Sequence, residues 1–124
     1  MSESAHRELI VWQKSIDLAE EIYRLARMLP KEELFSLSNQ MRRAAVSIPS
    51  NIAEGQDRRS TKEFMHYLHM ARGSRSELHT QLIICVRVGY LVEADISSAM
   101  ALLQEIGKML NALIATLKAK ADRC

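Results

Sequence analysis

Apolar positions recur along most of this chain at alternating steps of three and four residues, the spacing of one face of an α-helix. Leu9, Trp12, Ile16, Ala19, Tyr23 and Ala26 make the first such seam and predict a helix over 7–29. Val11, Leu18, Ile22, Leu25 and Leu29 form a second stripe beside it, which widens the apolar arc to roughly 200° at 100° per residue. A second helix is expected over 34–54, with Leu34, Leu37, Met41, Ala44, Ile48 and Ile52 on a narrower arc. A third is expected over 61–88, turning Phe64, Tyr67, Leu68, Ala71, Leu78, Leu82 and Cys85 inward, about 40 Å long at 1.5 Å per residue. The fourth, over 94–121, carries Ile96, Ala99, Leu103, Ile106, Leu110, Leu113 and Leu117, with Leu102 and Met109 alongside.

Local signals punctuate these elements. Ser60-Thr61-Lys62-Glu63 is a capping box that opens helix three, and Gly89 closes it. Gly55 is expected to stop helix two by adopting a positive φ. Pro49 removes a backbone donor and crowds the preceding turn, so helix two is expected either to kink near Ala45 or to divide into two pieces. The connections Pro30–Glu32, Gly55–Arg59 and Gly89–Glu93 are short, which favours antiparallel neighbours. The expected fold is all-α: one antiparallel up-down-up-down four-helix bundle spanning 1–124. Helices one and four carry more apolar surface than a solitary bundle covers, so copies of the chain are expected to associate.

Of the residues, 48% are apolar and 26% charged, with only four glycines and two prolines, which disfavours a disordered chain and a many-turned β-sandwich. Met1–Arg7 has no hydrophobic secretory segment, and no uninterrupted apolar run approaches the roughly 20 residues of a membrane span. A cytoplasmic protein without membrane association is expected. Cys85 falls on an apolar arc as a small hydrophobe and Cys124 is terminal, so no disulfide is expected. The net charge is only +2, yet residues 42–87 hold eight basic side chains against four acidic ones. Arg42, Arg43, Arg58, Arg59 and Lys62 are the candidates for contact with the phosphates of a nucleic acid.

Gln40, Arg43, Ser47, Asn51 and Glu54 form a polar stripe on helix two. Glu63, His66, Ser74, Glu77 and Gln81 form another on helix three, with Gly73 allowing close backbone approach. Buried polar groups must be paired, so Ser47, Asn51, Ser74 and Glu77 are expected to meet as a hydrogen-bonded seam; ligand binding at the same stripe is the competing explanation. Arg75 lies within an apolar arc and needs a carboxylate, Glu54 or alternatively Asp17, unless it snorkels to solvent. Glu54 and Glu77 are placed as holders of Arg43 or Arg75 rather than as an acid–base pair. Glu63 and His66 make a single Glu-x-x-His, whereas a di-iron bundle needs two such pairs and two further glutamates. No metal, cofactor or catalytic residue is assigned.

Several of these segments together resemble one family: Val11-Trp12-Gln13-Lys14, Ile22-Tyr23, Gln40 through Ala45, Ser47 through Gly55, Ala71-Arg72-Gly73-Ser74 and Glu77-Leu78. The chain is similar over almost its whole length to the 23S rRNA intervening-sequence proteins, whose biochemical role is largely unassigned. The resemblance implies an up-down-up-down bundle assembled as a ring-like homopentamer. It also brings in the related accessory proteins of diversity-generating retroelements, which form similar barrels and bind a reverse transcriptase and nucleic acid. This chain is less basic than that role calls for. The leading expectation is a non-enzymatic homo-oligomeric scaffold with RNA or DNA binding; the alternatives are a protein-interaction adaptor and a metal-dependent bundle enzyme.

Overall fold

In the computed structural model, which describes residues 9–123, four helices form a closed bundle. They are α1 (Ile10–Ala26), α2 (Leu37–Gln56), α3 (Thr61–Arg87) and α4 (Glu93–Asp122), with a 3-10 turn at Lys31–Glu33 before α2. Each helix packs on two neighbours in the ring α1–α2–α3–α4–α1, and α2 with α3 form the most extensive pair. The predicted positions Arg7, Glu8 and Cys124, and the segment Met1–Arg7, lie outside the described residues.

The core is aliphatic and continuous. Leu18, Ile22 and Leu25 from α1 meet Met41, Ile48 and Ile52 from α2, Leu68, Leu78 and Leu82 from α3, and Leu103, Ile106 and Leu110 from α4, all fully buried. On α1 this reverses the sequence-based assignment: the second stripe (Val11, Leu18, Ile22, Leu25, Leu29) is the core face. Of the expected seam, Ala26 alone is buried; Trp12, Ile16 and Ala19 are half-buried and Tyr23 is 39% exposed. Both stripes repeat at helical spacing, so periodicity cannot choose between them. Neighbouring helices can. On α4, Ile114 rather than Leu113 completes the buried row.

α2 begins at Leu37, not 34, because Pro30 starts the short 3-10 turn and Glu33 then takes over the capping. The Glu33 carboxylate accepts from the Leu37 N–H at 3.3 Å and from the Ser36 hydroxyl at 2.6 Å, satisfying a backbone donor that has no intrahelical partner. Its other oxygen accepts from the Tyr90 hydroxyl at 2.7 Å, tying the α1–α2 turn to the α3–α4 turn. Leu34 and Phe35 are left on the surface, Phe35 at 89% exposure. Ser38 donates to the Ala26 carbonyl, one of the last of α1.

One expectation about helix breakers is narrowed and another corrected. α2 runs unbroken through the buried Pro49, which excludes two separate pieces. Gly55 does not end α2 by positive φ; it lies inside the helix, and among the described residues only Gly89 has a positive φ. A Cβ on Gly55 would sit 2.8 Å from Tyr67 Cβ and 2.9 Å from Phe64 Cδ1, so glycine is required there by the closeness of α3. Gly89, at φ +89°, ends α3 as expected: Tyr90 N–H bonds to the Cys85 carbonyl and Gly89 N–H to that of Val86. At the other end of α3, Ser60 Oγ accepts from Glu63 N–H at 3.0 Å.

α4 is, by length and composition alone, apolar enough to cross a membrane, yet only 33% of its most apolar 18-residue window is buried in the bundle. Its remaining large apolar side chains, Met100, Leu102, Met109 and Leu113, are half-buried against the core, and none of the exposed large apolar residues among the described residues lies on α4, so the surplus expected on helix four is not found there. Burial pushes the Cys85 thiol up to about 11, helped by the negative charge of Glu33, so it stays protonated against Met41 Sδ at 3.7 Å.

Candidate functional site

α2 separates two grooves of opposite character. The groove shared with α1 is mainly apolar, lined by Trp12, Ile16, Ala19, Val46, Pro49 and Ala53 with Ser50 at its edge, and has a volume of about 300 Å³. Ile16 and Ala19 continue it toward Tyr23 and Arg27. The groove shared with α3 is polar, about 280 Å³, and lined by Gln40, Arg43, Ala44, Ser47, Ser74 and Glu77.

At the floor of the polar groove the structure brings Ser47, Asn51 and Ser74 together. Ser47 Oγ and Ser74 Oγ lie 2.8 Å apart across the helix pair. Asn51 Nδ2 donates to Ser47 Oγ at 2.9 Å and to the Ser47 carbonyl at 2.8 Å, reinforcing the turn that contains Pro49. Glu77 is not joined to these three; it is exposed on the rim, and its carboxylate accepts from Gln81 Nε2 at 3.3 Å. Gln81 was placed on the polar stripe but is 5% exposed, and its Oε1 has no partner among the described residues. Gly73 is exposed with open space around it, so no close backbone approach occurs there.

Glu54 lies outside the seam as well. It is exposed and pairs with Arg58, one turn later, at 3.2 Å. Arg75 meets neither Glu54 nor Asp17: half-buried, it donates from Nε to the Leu103 carbonyl on α4 at 2.7 Å. Gly107 makes this possible, because a Cβ there would stand 2.8 Å from Arg75 Nε. A carbonyl acceptor on a facing helix leaves no periodic trace in a sequence; the glycine inside an otherwise favourable helix was the available signal. Arg75 also lines a larger open groove between α3 and α4, about 770 Å³, with His79, Glu93, Ser97, Met100 and Gln104, none of them grouped by sequence reasoning.

The five basic candidates divide into two groups. Arg42 and Arg43 lie near the start of α2, where Arg42 stacks over the Tyr23 ring at 5.8 Å from its centroid. Arg58, Arg59 and Lys62 lie at the α2–α3 connection, and about 20 Å of helix separates Arg43 from the end of α2. Arg58 is braced: its guanidinium covers the Tyr67 ring at 4.9 Å and donates to the Tyr67 hydroxyl at 2.8 Å. Arg59 and Lys62 are fully on the surface. Arg72, outside the five candidates, reaches across to Asn111 on α4 at 3.1 Å and to His69 at 2.9 Å. His66 stands edge-on to Tyr67, and among the described residues no three His, Cys, Asp or Glu side chains are grouped as a metal site would need.

The family model described as 23S rRNA-intervening sequence protein matches residues 7–112. Among solved structures, the chain is similar to a protein with unknown function from the S23 ribosomal protein family of Bacteroides thetaiotaomicron. That likeness has 28% identity and a TM-score of 0.79, and it covers 85% of this chain and 98% of the other. No curated protein matches.

Proposed function

This chain belongs to the 23S rRNA-intervening sequence protein family, and from that premise we propose that it works as a homo-oligomeric scaffold, by binding rather than by catalysis. One observation carries the reading: an aromatic and aliphatic row on α1, Trp12, Ile16, Ala19 and Tyr23, is only partly covered by the bundle and borders the exposed Val46 across the α2 groove. A contiguous apolar surface of this kind on a small bundle is characteristic of a subunit interface. A second copy is the occupant, since the chain carries further exposed apolar side chains away from this row, Ile83, Ile84 and Val88 at the end of α3, and an interface between unlike faces forms a ring when its rotation closes. Five subunits are the number that the family resemblance implies. Light scattering on freshly purified protein tests this: the expected mass is a multiple of 14.1 kDa, and a monomer at micromolar concentration overturns the reading.

A second reading concerns what the scaffold holds. Arg58, Arg59 and Lys62 stand together at one connection, and in a ring each copy repeats them at the same end. Repetition turns a modest patch into a multivalent one for nucleic-acid phosphates. A fluorescent RNA titrated at low salt is expected to bind with affinity that falls steeply as salt rises. Unchanged affinity after removal of the Arg58 and Arg59 charges excludes this role and leaves a protein partner as the remaining occupant.

A further inference from the structure

We propose that the polar groove between α2 and α3 is a binding site for a small zwitterion of the α-amino-acid class. Proton counting supplies the first support. Ser47 and Ser74 have two hydroxyl protons between them, and their mutual hydrogen bond uses one. The Asn51 group beside Ser47 Oγ is Nδ2, fixed as a donor by the Ser47 carbonyl at 2.8 Å, so it does not take up the other proton. Whichever serine donates, one O–H is left without an acceptor among the described residues, and both hydroxyls line the groove.

Charge supplies the second. Arg43 and Glu77 line the same small groove, yet they are not an ion pair; the ion pairs among the described residues are Lys14–Glu105, Arg24–Glu21 and Arg58–Glu54. The Glu77 carboxylate accepts at 3.3 Å from Nε2 of the buried Gln81, one turn further along α3. Two opposite charges facing one pocket without meeting suit a ligand that carries both. Its carboxylate would take the Arg43 guanidinium and the spare serine proton, charge-assisted bonds of the stronger kind. Its ammonium would donate to Glu77 and to the Gln40 side-chain carbonyl. Inorganic phosphate fits less well, because Glu77 would repel it while its second charge went unmatched. A volume of about 280 Å³ is just below the roughly 300–1,000 Å³ of drug-sized sites, so the ligand is small.

Nuclear magnetic resonance titration of the isotope-labelled full chain with the common amino acids, one at a time, tests the proposal. At least one is expected to shift the amides of Ser47 and Ser74. Acetate and methylammonium, each carrying half of the recognition, are expected to bind at least about tenfold more weakly. Arg43→Gln and Glu77→Gln should each weaken binding by about tenfold or more with an unchanged melting temperature, since both side chains are on the surface. The proposal is overturned if no amino acid binds, if phosphate or acetate binds as tightly as the best amino acid, or if Arg43→Gln leaves the affinity intact. Ser74→Ala provides a separate check, losing affinity while the charges stay in place.

Discussion

The two flanks of α2 are built from the same helix and solve opposite problems. Toward α1, Val46, Pro49 and Ala53 join Trp12, Ile16 and Ala19 in a groove with almost nothing to hydrogen-bond. Toward α3, Ser47, Asn51 and Ser74 form a polar cross-link directly against the fully buried Ile48 and Leu78. An apolar contact is non-directional and tolerates sliding, whereas a hydroxyl pair at 2.8 Å is satisfied in a single register. The polar flank therefore sets how α2 and α3 align, while the apolar flank stays only half-covered within the single chain. A helix that used one chemistry on both sides would lose one of these two properties.

The sharpest way to break the comparison is to place a charge on the apolar flank. Ile16→Glu or Val46→Glu is expected to cost association several kcal/mol, dissociating the assembly to the 14.1 kDa chain by light scattering while circular dichroism stays helical. Should helicity collapse with the mass, the flank belongs to the fold rather than to an interface. Crowding the polar flank comes next. Gly55→Ala pushes a methyl group into Tyr67 and Phe64 and should destabilise the chain by about 1–3 kcal/mol in chemical denaturation. Gly73→Ala, in open space inside α3, should be neutral or slightly stabilising by comparison.

Ser47→Ala is milder, with an expected loss of about 1 kcal/mol, because it removes one cross-helix hydrogen bond and an acceptor for Asn51. In a double-mutant cycle with Ser74→Ala the two losses should fall short of additivity by about 0.5 kcal/mol or more. Strict additivity would mean that the hydroxyl pair does not set the register.

The smallest effect lies away from both flanks, where Glu33 joins two turns. The Ser36 hydroxyl, followed by that of Tyr90 and the Leu37 N–H, holds the Glu33 carboxyl below its ordinary value. Its contribution is thus complete above the ordinary carboxylate pKa and lost as pH falls through the lowered one. Tyr90 is shifted upward, chiefly by the same hydrogen bond with Glu33, so its share is present below the ordinary phenol pKa and fades as pH rises through the raised value. Melting temperatures of the wild type and Tyr90→Phe should accordingly differ most near neutrality and converge in acid.

Much of the architecture is legible in the sequence. Four helices, their approximate limits, the Ser60 cap and the Gly89 stop follow from periodicity and local backbone chemistry, which act over a few residues and are written in the chain itself. The meeting of Ser47 with Ser74 was also anticipated, because polar residues beside an apolar arc have few ways to be satisfied. Less legible was which of two apolar stripes on α1 is the core, why Gly55 is a glycine, and where Arg75 finds its acceptor. Each of those answers belongs to a neighbouring helix.

The sequence alone determined the helical class and the order of the helices, since both depend on which residue types recur at which spacing. The tertiary structure decided which surface is surplus, which polar groups meet and which charges stay apart. These depend on the rotation of each helix about its axis, and that rotation is set by the joint packing of four helices rather than by any one of them.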